Sequence, residues 1–102
     1  MGFSATLSPD KKQLRMEIDG RFDFNIHSQF RKSYTDLPPS TRFVVDLKNT
    51  DFMDSSAMGM LLLLREYAGK ENADIHLVNC NPEIERILAV SNMDKLFPLE
   101  TE

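Results

Sequence analysis

A short polar segment between two apolar stretches carries the residue types best suited to chemistry in this chain. It runs from Asp46, within one apolar run, to Ser55 and Ser56, at the start of a run rich in Leu and Met. If the first run is a strand and the second a helix, Ser55 lies where the first helical N–H groups are unpaired and carry partial positive charge. Because that position favours anions, we interpret Ser55 as a residue able to carry a phosphate.

The same residues also have a purely structural interpretation. Asp54-Ser55-Ser56 before an apolar helix is an ordinary N-capping sequence, and a good cap contributes about 1 kcal/mol whatever the function. Short motifs also occur frequently by chance. Taken alone, these residues favour a helix cap over a regulated serine.

Alternating and continuous apolar runs predict the strands that position this segment. The first two strands alternate, are half-buried, and are able to form a hairpin, with Gly20 ending the second. The run at residues 43–47 is apolar on both faces, which indicates the centre of a sheet covered on two sides. Residues 48–53 are predicted to be a connection. Strands are predicted at residues 3–7, 14–19, 43–47, 75–78 and 96–99.

Helical spacing and capping residues predict three helices. The first begins after Asp23 or Asn25, buries a stripe spaced by four residues, and ends before Pro38. The second spans residues 55–68, ends at Gly69, and is apolar around more than one face, so we expect it to be well buried. The third begins at Asn81-Pro82. The predicted inner faces consist of Ile26, Phe30 and Tyr34 in the first helix and of Ile84, Ile87, Leu88 and Val90 in the third.

Repeated strand–helix–strand units imply parallel pairing with right-handed crossovers. We therefore predict an α/β fold: one domain at residues 1–102, with a mixed, mostly parallel sheet, an N-terminal β-hairpin and three to four helices. The length of 102 residues fits a single domain with a modest core.

Composition narrows the possible functions. The net charge of −4 and the lack of a basic run argue against nucleic-acid binding. Cys80 is the only cysteine, so neither an internal disulfide nor a cysteine metal cluster is expected, and a reducing cytoplasm is the simplest compartment. We expect no signal peptide and no membrane-spanning segment, since the apolar runs are short.

The remaining chemical groups do not predict an enzyme. His27 and His76 are interpreted as structural or surface residues. Cys80 lies before a helix start, a position able to lower a thiol pKa, but we interpret it as a small loop residue. Met53 and Met58, which flank Ser55, are candidates for exposed contacts. No GxSxG elbow, P-loop or GxGxxG motif is present, so we predict no catalytic residues, no metal and no cofactor.

Several motifs in this order resemble a known family. They are Gly20–Asp23 after the second strand, Val45–Leu47, Phe52–Ser56 followed by Gly59, Pro82 at a helix start, and Met93–Phe97 near the C-terminus. Together they span nearly the whole chain and resemble the STAS domain family, and within it the bacterial anti-sigma factor antagonists. With this resemblance, Ser55 is interpreted as a regulated cap rather than as a cap alone.

The resemblance implies a partner-switching mechanism. A serine kinase that is also the anti-sigma factor would phosphorylate Ser55, and a PP2C-type phosphatase would remove the phosphate. The unphosphorylated form would bind the anti-sigma factor and so release the sigma factor. The resemblance places the partner-binding surface at Asp23, Asp54, Ser55, Ser56, Met58 and Gly59.

Two residues depart from the family pattern and leave other functions open. Ala57 stands where glycine is common and Met58 where leucine is common, which puts the identity of the partner in question. The alternatives are a STAS module that regulates another signalling protein or senses a small ligand, and a serine-dependent α/β enzyme. An evident histidine base for the enzyme is lacking.

Overall fold

The computed structural model describes residues 2–102, which form an α/β domain. The strands and helices follow in the order β1 (Gly2–Leu7), β2 (Gln13–Phe22), α1 (His27–Tyr34), β3 (Arg42–Asp46), β4 (Thr50–Met53), α2 (Ser55–Tyr67), β5 (Ile75–Val78), α3 (Pro82–Val90) and β6 (Leu99–Glu100). Short 3-10 turns lie at Phe24–Ile26, Lys70–Asn72 and Met93–Lys95.

The sheet is mixed and mostly parallel, as predicted. Its main strand order is β1-β2-β3-β5-β6, with β1 antiparallel to β2 and the other neighbours parallel. β2 is long enough to pair with two strands besides β1. Residues Gln13–Glu17 pair with β3, and residues Gly20–Phe22 pair with β4. The predicted hairpin and the predicted parallel pairs therefore belong to one sheet organised around β2.

One hydrophobic core joins the sheet to all three helices. The alternating residues Leu14, Met16 and Ile18 of β2 are buried, as predicted from their spacing. Phe30 of α1 lies at the centre of an aromatic group, with its ring centroid 5.8 Å from Phe3 and 5.9 Å from Tyr34. The helical members of the core include Ile26, Phe30, Tyr34, Ala57, Leu61, Leu64, Ile84 and Leu88.

The opposite face of the sheet carries charged side chains around the buried Val44 and Val78. Arg15 of β2 bonds Asp46 at 2.6 Å and Glu102 at 2.5 Å. His76 of β5 contacts Asp74 at 2.6 Å and also Glu100. Burial lowers the pKa of His76, but the hydrogen bonds to the two carboxylates outweigh burial and raise it above its ordinary value. His76 is therefore a structural residue held by two carboxylates, in agreement with the sequence-based interpretation.

The segment at residues 48–53, predicted to be a connection, contains strand β4. A turn in which Thr50 N donates to Leu47 O at 3.1 Å leads from β3 into β4. Gly20, predicted to end β2, instead has a φ of +90° and marks a register shift, after which the strand continues to Phe22. The sequence prediction was wrong here because β4 is only four residues long and owes its extended form to pairing with β2.

Other differences concern which apolar residues are buried. In β1, Phe3 packs on the core, but Ala5 and Leu7 are exposed, so β1 is less buried than predicted. In α3, Val90 is 76% exposed and does not belong to the inner face. The last strand is shorter than predicted and covers Leu99–Glu100, because residues 93–95 form a 3-10 turn that buries Met93 and Phe97 instead.

Asn81 joins β4 to α3 through both ends of its side chain. Its Oδ1 accepts a hydrogen bond from Ile84 N at 2.9 Å and thereby caps α3. Its Nδ2 donates to Thr50 O at 2.7 Å. The side chain thus stabilises a helix end and fixes the start of the strand that leads to Ser55.

We expect Asn81→Ala to lower the free energy of unfolding by about 1–3 kcal/mol, because it removes a cap and a partly buried hydrogen bond. Asn81→Ser keeps an oxygen acceptor for Ile84 N, because serine is also a good N-cap, but its short side chain lacks the donor to Thr50 O, so its loss should be smaller. Urea denaturation, followed by circular dichroism, measures the free energy of unfolding of both variants. Equal losses in the two variants would show that capping by Asn81 is unimportant.

Candidate functional site

The site lies where β2 and β4 end side by side. Phe22 and Met53 are paired residues of these parallel strands. The next residue after each is an aspartate, Asp23 after β2 and Asp54 after β4. Because paired parallel strands end at the same edge of the sheet, the two loops meet there, and α2 begins directly behind Asp54.

Asp54 is the N-cap of α2. Its backbone is extended, with φ of −118° and ψ of −172°, and its Oδ1 accepts a hydrogen bond from Ala57 N at 3.1 Å. The hydroxyl of Ser56 donates to the same oxygen at 2.6 Å. The hydrogen bond from Ser56 is the main reason that the pKa of Asp54 lies below its ordinary value, with the bond from Ala57 N adding to it. The predicted cap is confirmed.

Ser55 is the first residue of α2 and is exposed. Within residues 2–102 its hydroxyl takes no hydrogen-bond partner, whereas the neighbouring Ser56 hydroxyl is bound to Asp54. The unpaired N–H groups of the first helical turn lie around it and carry partial positive charge. The two serines therefore differ: Ser56 supports the cap, and Ser55 presents a free hydroxyl to solvent.

Asp23 has a structural role in the adjacent loop. It is only 9% exposed, and its Oδ1 accepts a hydrogen bond from Asn25 N at 3.0 Å, which caps the 3-10 turn before α1. Its Oδ2 pairs with Arg21 Nε at 3.1 Å. The Arg21 guanidinium in turn lies 4.1 Å from the centre of the Phe52 ring in β4. This chain of contacts ties the loop after β2 to the strand that leads to Ser55.

An apolar groove of about 470 Å³ runs between the start of α1 and the exposed side of α2. Phe24 is 66% exposed and stacks on His27 with ring centroids 4.6 Å apart, forming one wall. Leu63, 53% exposed, contributes to the other wall. The full lining is Phe24, His27, Ser56, Gly59, Met60, Leu62, Leu63 and Glu66. Ser56 places this groove directly beside Ser55.

Sequence reasoning missed most of the groove. α2 was expected to be well buried because it is apolar around more than one face, but Leu62 and Leu63 are exposed. The signal was the run of four leucines from residue 61 to 64, since a helix that lies on a sheet has only one face against it. Phe24 carried a second signal, because it lies outside the stripe that α1 buries.

The other residues considered from the sequence differ in their exposure and in their distance from the groove. Gly59 lines the groove, and Met58 is partly buried against the core. Met53 is buried, so the expectation of an exposed contact was wrong for this residue. Burial raises the pKa of the Cys80 thiol to about 11, which disfavours a reactive thiolate. Within residues 2–102, no cluster of His, Cys, Asp or Glu side chains is arranged to hold a metal ion.

The fold and the site define a class of small α/β domains. In this class a serine is the first residue of a capped helix, and an exposed apolar groove lies beside it. A family model described as Mlab, STAS domain matches residues 5–99. A STAS-domain containing protein of Pseudomonas aeruginosa strain UCBPP-PA14 is 50% identical over 100 residues, which cover 97% of this chain and 99% of that protein. The chain belongs to the STAS domain family.

Anti-sigma factor antagonists are among its relatives. An anti-sigma F factor antagonist of Paenibacillus polymyxa is 32% identical over 56 residues, which cover 55% of this chain and 48% of that protein. The anti-sigma factor antagonist SpoIIAA in its unphosphorylated form matches with a TM-score of 0.73 at 15% identity, over 99% of this chain and 88% of that one. The resemblance stated from the motifs is thus confirmed.

Two further structures share this fold. Bacillus SpoIIAA in the phosphorylated form matches with a TM-score of 0.69 at 16% identity, over 99% of this chain and 93% of that one. A sulfate transporter family protein of Wolinella succinogenes matches with a TM-score of 0.73 at 14% identity, over 93% and 80% of the two chains. Among residues 2–102, no helix has the length and apolar character needed to span a membrane.

The cap provides a test of how the start of α2 is held. Asp54→Ala should lower the free energy of unfolding by about 1 kcal/mol, and Asp54→Asn, which keeps an acceptor, should lower it less. Because the pKa of Asp54 is lowered in the folded state, its ionised form stabilises the fold at neutral pH. That contribution is lost as the pH falls below 3.8, through the folded pKa.

Urea titrations at pH 7 and near pH 2.5 compare the variants with the wild-type chain. We expect the difference between wild type and Asp54→Ala to shrink at the lower pH. A difference that stays constant between the two pH values would mean that the charge of Asp54 does not stabilise α2.

Proposed function

We propose that this protein is an anti-sigma factor antagonist whose binding is controlled by phosphorylation of Ser55. The observation that carries the proposal is the free, exposed hydroxyl of Ser55 at the capped start of α2, beside an apolar groove. In its unphosphorylated form the protein binds an anti-sigma factor and releases the sigma factor. A serine kinase adds the phosphate and a PP2C-type phosphatase removes it, in the cytoplasm of a bacterium.

The position of Ser55 supports a phosphate without refolding. The helix N-terminus offers unpaired N–H groups and partial positive charge, and it is a favourable place for an anion. Ser55 is exposed and its hydroxyl holds no contact within residues 2–102 that a phosphate would break. We therefore expect phosphorylation to leave the fold intact and to act at the surface.

The surroundings of Ser55 explain how a phosphate would block binding. A phosphoserine adds a charge of about −1.5 to −2 at neutral pH. The N-cap Asp54 already places a carboxylate at the start of α2, so the phosphate adds to the negative charge there. A partner that places apolar or acidic groups against the start of α2 when it buries the groove would have to desolvate this charge or be repelled by it, and both weaken binding.

The arrangement favours a binding module over a serine hydrolase. In residues 2–102 neither serine at the site is hydrogen-bonded to a histidine, since the Ser56 hydroxyl donates to Asp54. His27, which lines the same groove, is stacked on Phe24. A serine nucleophile requires an activating base. In the described residues, the carboxylate that accepts from Ser56 belongs to Asp54, and its lowered pKa makes it a weak base.

The main test replaces Ser55. Ser55→Ala should bind the anti-sigma factor as the unphosphorylated wild type does, and Ser55→Asp should bind at least about tenfold more weakly, because a charge is placed at the interface. Ser40→Asp is the matched control. It adds the same charge in the exposed loop before β3, at the opposite end of the strands from Ser55. Isothermal titration calorimetry with purified serine-kinase anti-sigma factors of the source bacterium gives the affinities.

Intact mass spectrometry separates phosphorylation from binding. After incubation with ATP and the same anti-sigma factors, the wild type and Ser56→Ala should gain one phosphoryl group, and Ser55→Ala should gain none. Phosphorylation of Ser55→Ala, or equal affinity of Ser55→Asp and wild type, would refute the proposed switch.

Gly59 supports the groove as the partner surface. A glycine inside a helix costs about 0.5–1 kcal/mol relative to alanine. A Cβ atom at Gly59 would meet no atom within 4 Å, so packing inside this protein does not require glycine. A partner that approaches the α2 backbone closely does require it, which is consistent with the place of Gly59 in the groove lining.

Gly59→Ala should therefore raise stability and lower affinity together. We expect the free energy of unfolding to rise by about 0.5–1 kcal/mol and the dissociation constant for the partner to increase about tenfold. Val90→Ala is the matched control, since it also improves helix propensity at an exposed position but lies outside the groove. Unchanged affinity in Gly59→Ala would show that the partner does not contact this part of α2.

A second function is favoured by the comparisons themselves. The matching family model is that of the Mlab STAS domain, and a sulfate transporter family protein shares the fold. The alternative is a STAS module that uses the same groove to regulate another signalling protein or sense a small ligand. In that case no anti-sigma factor would bind, although Ser55→Asp could still alter the binding of the other partner.

A further inference from the structure

Strand β1 leaves one edge of the sheet open. It lies at the end of the strand order and pairs only with β2 among the described residues. None of its residues, Gly2–Leu7, is charged or a proline. Isolated sheet edges are usually protected by charged residues, proline, bulges or short strands. The opposite edge follows that rule, because β6 has two residues and one of them is Glu100.

The register of the hairpin determines which backbone groups of β1 face outward. Ser8 N donates to Gln13 O at 2.8 Å, so Ser8 and Gln13 form a hydrogen-bonded pair. The same register continues through β1, and hydrogen-bonded pairs alternate with non-bonded ones in an antiparallel ladder. The N–H and C=O groups of Phe3, Ala5 and Leu7 therefore point away from β2, toward the open edge.

The residues of this edge are self-complementary. The residue types are symmetric about Ala5. A hydroxyl residue lies on each side of it, and a large apolar residue lies beyond each of those; the five residues are Phe3, Ser4, Ala5, Thr6 and Leu7. An antiparallel second copy centred on Ala5 would pair Phe3 with Leu7 and Ser4 with Thr6. Apolar cross-strand pairs and pairs of hydroxyl residues both stabilise a sheet.

We propose that β1 pairs with β1 of a second copy of this chain, antiparallel and about a two-fold axis at Ala5, to form one continuous sheet. Each copy supplies the outward backbone groups of Phe3, Ala5 and Leu7, so the contact is the same on both copies. Leu7, 36% exposed in one copy, becomes covered by Phe3 of the other. The absence of charge in β1 means that no like charges meet across the axis.

The size of the contact sets its strength. Pairing of one six-residue strand per copy buries less than the roughly 1,200 Å² of a standard interface, so the dimer is weak and exchanges readily. Sedimentation equilibrium of the untagged full chain from about 10 μM to about 1 mM covers the range in which such a dimer forms. We expect the apparent mass to rise from 11.7 kDa toward twice that value.

Substitutions at Ala5 test the geometry, because this side chain is exposed and its N–H is not bonded to β2. Ala5→Pro removes the central N–H of both copies and should raise the dissociation constant at least about tenfold. Ala5→Lys and Ala5→Glu each place like charges opposite one another and should weaken the dimer about fivefold. Their equimolar mixture should restore association, since Lys then faces Glu.

Ala89→Lys is the matched control, with the same change at an exposed position of α3. It should associate as the wild type does, and circular dichroism verifies that every variant is folded. A chain that stays monomeric at all concentrations would overturn the proposal, and the edge would then be free for a strand of a different protein. A dimer that neither Ala5→Pro nor Ala5→Lys weakens would also overturn the proposal, as would a mixture of Ala5→Lys and Ala5→Glu that does not recover association.

Discussion

The pairing of β2 with both β3 and β4 is the constraint on which the rest of this structure depends. β2 continues past Gly20, where the register shifts, and its last residues align with β4. That alignment brings the loop after Phe22 beside the loop after Met53. Asp23 and Asp54, which are far apart in sequence, then cap the two helical segments that begin at the same edge of the sheet.

Two properties meet at that edge. The capped start of α2 favours negative charge, while the neighbouring groove between Phe24 and Leu63 is apolar. In the proposed switch, the domain itself tolerates a phosphate on Ser55, and the phosphate opposes the burial of the groove by a partner. Such a difference between the free and the bound protein is what a switch needs, since a modification changes binding only by its unequal effect on the two states.

Much of the fold was predictable because its elements carry strong local signals. The alternation in β2, the spacing of Ile26, Phe30 and Tyr34, and the cap at Asn81 all appear in the structure as predicted. β4 was not predictable in the same way, because its four residues become a strand only through hydrogen bonds to a segment about thirty residues earlier. The candidate site was predicted at Asp23, Asp54, Ser55, Ser56, Met58 and Gly59, whereas Phe24 and Leu63, which line the groove, were missed.

The sequence by itself determined the class of fold, the start of α2 and the position of Ser55 in its first turn, because capping and helical spacing depend on neighbouring residues. Only the tertiary structure decided which leucines of α2 are exposed. It also decided that the Asp23 carboxylate accepts a hydrogen bond from Asn25 N in its own loop. It also decided that β1 is the open edge of the sheet. These features depend on which distant segments cover a given face, and periodicity along one segment carries no information about what lies opposite it.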